Sequence, residues 1–202
     1  HERSTAMPQL ATTYTMTLPE WLTSDLDGLP RILSTNEERM ALVNQLADRN
    51  WRAGNGGPFA AIVVDESTGE LVSAGVNVVL STGITSGHAE VMALALAQRA
   101  LGRWNLGEDG ARLALIVNWR PCVQCYGATM WSGVRSLVVA GEGPELEEMT
   151  GFDEGPVVAD WADQFRARGI EVTIGVARDE ALEVYRAYGA SESLVYNARG
   201  DA

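Results

Sequence analysis

Apolar and polar positions follow one another in blocks along most of the chain, and these blocks predict helices and strands. Residues 34–54 predict a helix, because Thr35 and Glu38 form a capping-box pattern at its start and Gly54 stands where a helix ends. Residues 58–80 hold two β-branched runs on either side of the turn sequence ESTGE, which predicts a β-hairpin.

The rest of the chain alternates between predicted helices and strands. The segment from His88 to about Leu101 is rich in Ala and Leu and ends at Gly102, so it predicts a helix. Residues 111–118 are apolar nearly throughout, as expected of a strand covered on both faces. Further strands are predicted at 136–141 and 170–175, and further helices at 121–133, with Pro121 in the first helical position, 160–169 and 178–189. This order predicts one α/β sheet with helices on both faces.

The N-terminal segment, residues 1–34, departs from this pattern. Its prolines and weak periodicity predict an extended arm in front of a domain that spans residues 35–202. Residues 1–6 are interpreted as an expression-tag remnant before a native start at Met7.

Composition and charge narrow the class of protein. The chain has 202 residues, of which 46% are hydrophobic, and a formal net charge of −12. One domain with a sizeable core is expected, and the acidic charge argues against a nucleic-acid partner. No apolar run approaches the roughly 20 residues of a membrane helix, and no signal peptide is evident. Two cysteines do not make a secreted disulfide framework, so we expect a cytoplasmic protein without a membrane partner.

The soft metal ligands fall into two short motifs. Apart from His1, the chain contains one histidine, His88, and two cysteines, Cys122 and Cys125. The cysteines are three residues apart at the start of a predicted helix, so both thiolates can reach one ion. His88 supplies a third ligand. Three protein ligands leave the fourth zinc position open, as in a catalytic site, and we expect one Zn²⁺ per chain with an activated water.

Glu90 stands two residues beyond His88, at the start of the same predicted helix. A carboxylate there can lie beside the metal without binding it. It could take a proton from the water and pass it to a ring nitrogen and then to a leaving amine.

Together these residues form the H-x-E…P-C-x-x-C signature of the zinc-dependent nucleobase deaminases. Over roughly residues 36–196 the sequence resembles the cytidine deaminase superfamily. The resemblance implies a three-layer α/β/α fold around a single mixed sheet of about five strands. The segment GGPFAAIVV, residues 56–64, is similar to the opening of guanine deaminases and of the related tRNA adenosine deaminases.

Three further features resemble guanine deaminases more than the tRNA enzymes: Trp131 in GATMWSG, the segment TGFDEG, and the C-terminal LVYN. The resemblance implies roles for particular residues. Asn77 would hydrogen-bond the ring, Asp153 would be a second proton-handling carboxylate, and Tyr196 would close the pocket from the tail. Phe59 and Trp131 would be pocket aromatics. The protein would be a homodimer, in which the tails of the two subunits could be exchanged.

One segment departs from the family pattern. Before the Pro-Cys pair the chain has Asn118, Trp119 and Arg120, where the family has Thr or Ser, any residue, and Glu. The metal ligands survive this change. Trp119 and Arg120 could reshape the pocket for a different ring.

The sequence therefore predicts a zinc hydrolase that replaces an exocyclic amine of a small aminated heterocycle by oxygen. Guanine, converted to xanthine and ammonia, is the first choice of substrate. A cytosine, pterin or triazine ring is the alternative within the class. The alternative from another class is a non-catalytic zinc-binding or redox module, which would have no use for Glu90.

Overall fold

The computed structural model describes residues 9–198, and the interpreted tag remnant at residues 1–6 lies outside this range. The described part contains eight α-helices and five strands. In chain order these are α1 (Glu20–Asp25), α2 (Asn36–Arg52), β1 (Ala60–Asp65), β2 (Leu71–Val76), α3 (Val79–Thr82), α4 (Ala89–Leu101), β3 (Leu113–Val117), α5 (Val123–Ser132), β4 (Ser136–Val139), α6 (Glu145–Thr150), α7 (Trp161–Arg166), β5 (Glu171–Ile174) and α8 (Arg178–Gly189).

The five strands form one mixed sheet in the order β2-β1-β3-β4-β5. Strand β1 is antiparallel to both β2 and β3, whereas β3, β4 and β5 are parallel to one another. The predicted hairpin and the single mixed sheet of five strands are confirmed.

The central strand β3 is buried along its whole length, as its apolar sequence predicts. Leu113, Leu115 and Val117 face a core formed with α4, α5 and α7, whereas Ala114 and Ile116 face a second core formed with α2 and α8. Because successive side chains of a strand point to opposite faces, one apolar strand supplies both cores. Helices therefore cover both faces of the sheet, as predicted.

Helix boundaries follow the predicted signals in most places. The Glu38 backbone N–H donates to Thr35 Oγ1 over 3.2 Å, and the Glu38 carboxylate accepts the Thr35 N–H over 3.1 Å, so the capping box is confirmed. Helix α4 ends at Gly102, whose φ of 67° is left-handed and therefore suits glycine. Pro121 was predicted in the first helical position, and this was wrong. Cys122 is the extended N-cap and α5 begins at Val123, so Pro121 precedes the cap.

The N-terminal segment is more ordered than an extended arm. Residues 20–25 form α1, and Leu22 is fully buried in the core shared with α2 and α8. Helices α3 and α6 were likewise not predicted. All three are four to six residues long, too short for an apolar repeat to show in the sequence. No helix within residues 9–198 has the length and apolar character needed to span a membrane.

The topology brings several loops to one edge of the sheet. Strands β3 and β4 end there, and the segments after them lead into α5 and α6. Because β1 runs antiparallel to β3 and β2, the start of β1 and the end of β2 lie at the same edge, with Ala60 opposite Val76 and Ala61 opposite Val117. Such an edge, at the carboxyl ends of parallel strands, is where open α/β sheets bind ligands.

Candidate active site

The three soft ligands meet where α4 and α5 begin. His88 is the N-cap residue of α4 and Cys122 that of α5, and Cys125 lies in the first turn of α5. His88 Nδ1 lies 3.4 Å from Cys122 Sγ and 3.5 Å from Cys125 Sγ. The three ligand atoms are within 4.8 Å of one another, and both cysteines are free of disulfides.

This donor set fits zinc. Zn–S bonds of about 2.3 Å and a Zn–N bond of about 2.0 Å at tetrahedral angles give S···N separations of about 3.5 Å. The two S···N separations are 3.4 and 3.5 Å. A neutral imidazole and two thiolates are ligands that zinc prefers, and three protein ligands leave one position for water. His88, Cys122 and Cys125 can therefore hold one zinc ion per chain.

The pKa values of the three ligands are shifted by burial and by their mutual contacts. A hydrogen bond from Cys125, with further contributions from His88, lowers the pKa of Cys122 to about 4. Burial raises the pKa of Cys125. Burial alone would lower the pKa of His88, but the hydrogen bond and charge of Cys122 outweigh it and raise that pKa. Metal binding to this group would release the remaining thiol proton.

Two buried carboxyl groups lie beside the ligands. Glu90 in the first turn of α4 is 6% exposed, and Glu154 in the segment after α6 is 9% exposed. Burial, together with the negative charge of Cys122, raises the pKa of Glu90. Burial and the charges of Cys122 and Glu90 raise the pKa of Glu154 to about 8. Two acids held this close to a metal group can store and transfer protons.

Two of the ligands, His88 and Cys122, and both carboxyls line one cavity of about 360 Å³, and the third ligand, Cys125, is fully buried next to them. This volume is in the range of sites for small molecules. The cavity is lined by Phe59, Asn77, Val79, Thr85, His88, Glu90, Val117, Trp119, Arg120, Cys122, Gln124, Phe152, Asp153, Glu154, Tyr196, Asn197 and Ala198.

Another part of the cavity lining combines aromatic rings with the amide of Asn77. The rings of Phe59 and Phe152 meet edge to face with centroids 5.5 Å apart, and Tyr196 packs on Phe152 at 5.0 Å. Asn77, at the end of β2, is only 2% exposed. The Tyr196 hydroxyl donates to Asn77 Oδ1 over 2.8 Å. The C-terminal tail thus reaches the cavity of its own chain.

Two residues that the sequence places in the pocket, Asp153 and Trp131, are exposed. Asp153 is at the cavity but exposed, and its carboxylate accepts the Gly155 backbone N–H over 2.9 Å. Trp131 does not line the cavity. It lies at the end of α5 with 78% of its surface exposed.

Trp119 and Arg120 are fixed by the loop after β4. The Trp119 indole is 1% exposed and donates to the Gly143 carbonyl over 3.0 Å, and a Cβ at Gly141 would lie 2.3 Å from its ring. Arg120 Nε donates to the Glu142 carbonyl over 2.8 Å, and Nη2 pairs with Glu147 at 3.4 Å. These two side chains therefore connect the segment before Cys122 to the loop after β4 and to α6, and both line the cavity.

Sequence reasoning did not single out Glu154. The segment TGFDEG holds two adjacent acids, Asp153 and Glu154, and only the fold decides which of them is buried. The adjacency of the two acids was the available signal. Phe152, which lines the cavity beside them, was also missed.

Comparison with known families supports the metal group. The family model for the cytidine and deoxycytidylate deaminase zinc-binding region matches residues 33–141. This match covers more than half of the chain and includes His88, Glu90, Cys122 and Cys125.

Solved structures share the fold over most of their length. The guanine deaminase from Nitrosomonas europaea is 40% identical with a TM-score of 0.84, covering 91% of this chain and 100% of that one. The structure of NE0047 in complex with 2,6-diaminopurine is 42% identical with a TM-score of 0.82, covering 92% and 97%. The curated guanine deaminase of Bacillus subtilis (strain 168) is 33% identical over 109 residues, which are 54% of this chain and 65% of that protein. The match therefore spans slightly less than two thirds of this curated relative.

Proposed function

Since the chain belongs to the cytidine and deoxycytidylate deaminase zinc-binding family, we propose that it is a zinc-dependent hydrolase that deaminates guanine to xanthine and ammonia. The observation that carries this proposal is the group of three metal ligands with the buried carboxyl of Glu90 beside it, where His88, Cys122 and Glu90 line one cavity. A zinc-binding or redox module without catalysis would have no use for that carboxyl. Similarity to the guanine deaminase from Nitrosomonas europaea supports the choice of ring.

The reaction consumes one water and replaces the exocyclic amine of the ring by oxygen. His88, Cys122 and Cys125 would hold the zinc ion, which would supply a water with a pKa lowered to about 7 and so reactive at neutral pH. Glu90, buried beside the ligands, accepts a proton and passes it to a ring nitrogen. The hydroxyl group added to the ring carbon then loses its proton, which goes to the departing amine. The C–N bond breaks as the C=O bond forms, and the amine leaves as ammonia.

We assign the second proton-handling role to Glu154 and not to Asp153. Glu154 is buried in the cavity wall beside Glu90, and its burial favours the protonated carboxyl that a leaving amine needs. Asp153 is exposed, and its carboxylate already accepts the Gly155 N–H.

The shape of the cavity supports a free base as substrate. Phe59 and Phe152 offer apolar surface to a planar ring. Tyr196, Asn197 and Ala198 of the tail line the same cavity of about 360 Å³ and so take up part of the space around a bound ring. A nucleoside would need this tail to be displaced.

We also propose a homodimer that associates through an exposed apolar surface formed by Leu101, Trp104 and Trp131. These side chains are 41%, 79% and 78% exposed. The loop that carries Trp104 is tied to the end of α5, because the Leu106 N–H donates to the Ser132 carbonyl over 2.9 Å. Two exposed indoles in such adjacent segments are typical of a protein interface. Because Tyr196 reaches the cavity of its own chain, we propose a dimer without exchanged tails.

The test is release of ammonia from guanine by zinc-loaded protein, with identification of xanthine as the second product. A panel of cytosine, a pterin and an aminotriazine, assayed in the same way, covers the other rings. We expect guanine to give the highest kcat/KM. A higher kcat/KM on another ring would identify that ring as the substrate in place of guanine. No ammonia release from any ring, despite bound zinc, would contradict deamination.

A further inference from the structure

Tyr196 and Asn77 form a hydrogen-bond chain whose direction can be worked out from its ends. The Gly57 backbone N–H donates to the Tyr196 hydroxyl oxygen over 2.8 Å, and the Val79 N–H donates to Asn77 Oδ1 over 3.1 Å. A backbone N–H can only donate. The Tyr196 proton is therefore free for Asn77 Oδ1, which lies 2.8 Å away, and Oδ1 is identified as the oxygen of the amide.

This arrangement uses up the acceptor side of the amide. A carboxamide oxygen has two lone pairs, and Tyr196 and Val79 occupy both. Nδ2 has no protein partner within residues 9–198, and Asn77 lines the cavity. The group that Asn77 presents to a ring is therefore its NH₂ donor.

The backbone around Asn77 is built for this one orientation. A Cβ at Gly56 would lie 2.2 Å from Asn77 Oδ1, so the amide oxygen fills space that only a glycine leaves free. The buried Asn50 Nδ2 donates to the Asn77 carbonyl over 2.8 Å and fixes the main chain. Among these partners, Tyr196 alone comes from the tail, 119 residues away from Asn77.

The tail is anchored independently of this contact. The Tyr188 hydroxyl donates to the Leu194 carbonyl over 2.7 Å, and Asn197 Nδ2 donates to the Gly151 carbonyl over 2.8 Å. A loss of the Tyr196 hydroxyl alone should therefore leave the tail in place.

We propose that Tyr196 is a positioning residue for substrate recognition, which locks the Asn77 amide so that the cavity selects rings with a hydrogen-bond acceptor facing Asn77. The proposal rests on the proposed function. An acceptor is a carbonyl oxygen or an unprotonated ring nitrogen. A ring that offers an N–H at this place leaves two donors facing each other, which is costly in a buried site. The cavity can therefore select its ring only when the tail is docked.

The test compares Tyr196→Phe with Tyr188→Phe. Each variant loses one tyrosine hydroxyl: that of Tyr196 contacts Asn77, whereas that of Tyr188 contacts only the backbone of the tail. Tyr196→Phe removes the hydrogen bond to Asn77 and also the acceptor of the Gly57 N–H. We expect KM for guanine to rise roughly three- to tenfold, mainly because the Asn77 amide is no longer held, with a smaller change in kcat. Tyr188→Phe should leave KM near the wild-type value, because Asn197 still anchors the tail at the Gly151 carbonyl and the contact of Tyr196 with Asn77 is untouched. Zinc content and melting temperature report whether each variant is folded.

A double-mutant cycle separates positioning from simple packing. In an Asn77→Ala background, Tyr196→Phe should change KM by less than about twofold, because its effect is transmitted through the missing amide. If activity in that background is too low, the same cycle is measured as guanine binding by calorimetry on the Glu90→Gln protein. Equal KM effects of the two Tyr→Phe variants, or additive effects with Asn77→Ala, would overturn the proposal. A wild-type protein that acts on another ring overturns only the choice of guanine, and the cycle is then run on that ring.

Discussion

The two walls of the cavity are built in different ways. The metal wall consists of His88, Glu90 and Cys122, with the buried ligand Cys125 next to them, and all four lie at the starts of two helices. The ring wall consists of Phe59, Asn77, Phe152, Glu154 and Tyr196, which come from loops, a strand end and the tail. In the metal wall, the spacing within each short motif places its side chains. In the ring wall, placement depends on packing between segments as far apart as Gly57 and Tyr196, 139 residues. The metal wall therefore carries a chemistry that the sequence can specify locally, whereas the ring wall carries a selectivity that only the folded chain specifies.

The largest expected effect comes from removing a metal ligand. Cys122→Ala should reduce zinc from about one equivalent per chain to nearly none and abolish ammonia release, because two ligands hold the ion much less tightly than three. Metal analysis of the purified protein measures this directly. Gln124→Ala is the matched control for zinc content, since Gln124 is exposed in the same helical turn and is no ligand. A full equivalent of zinc in Cys122→Ala would show that the metal binds elsewhere.

Glu90→Gln should separate chemistry from metal binding within the metal wall. The amide keeps the size of the side chain but cannot accept the proton, so we expect full zinc and turnover lower by roughly 10²–10⁴-fold. Glu183→Gln, an exposed change on α8, is the control. Near-normal turnover in Glu90→Gln would mean that another group carries the proton.

Glu154→Gln and Asp153→Asn test which adjacent acid belongs to the ring wall. Because Glu154 is buried beside Glu90, its change should lower kcat by roughly 10²-fold, the lower end for a positioned acid. Asp153 is exposed, so Asp153→Asn should stay within about twofold of wild type. Steady-state rates at saturating guanine decide between them, and the reverse order of effects would return the role to Asp153.

The smallest effect on catalysis is expected at Trp131, which lies outside both walls. Trp131→Ser should weaken association between subunits, measured by light scattering over a range of concentrations. The rate per site should remain within about twofold of wild type where the variant is still dimeric. A large drop in rate under that condition would show that Trp131 contributes to a cavity after all.

The sequence predicted the fold and the metal wall for physical reasons that are local. The capping box at Thr35, the apolar strand β3 and the glycine end of α4 are each set by neighbouring residues, and all three were confirmed. The metal motif was recognisable because the two cysteines and the histidine stand at fixed distances in two short segments, and the zinc-binding family model confirms it.

The ring wall could be predicted only in part. Asn77, Phe59 and Tyr196 were named from a family resemblance and do line the cavity, but the direction of the hydrogen bonds between Asn77 and Tyr196 required coordinates. Neighbouring side chains such as Asp153 and Glu154 leave a non-helical backbone in different directions, so their sequence does not say which is buried. The exposure of Trp131 likewise depends on which helix or subunit covers α5.

The most direct test of the central claim, that a metal wall and a tail-closed ring wall together deaminate a free base, is one comparison of rates. Ammonia release by the zinc-loaded wild-type protein is measured on guanine and on guanosine, which differ only in the ribose. We expect guanine to be turned over. For guanosine we expect kcat/KM to be lower by at least roughly 10²-fold, because the ribose would collide with the tail that carries Tyr196. Comparable values for the two compounds would contradict the closed cavity, and release from neither would contradict guanine as the substrate.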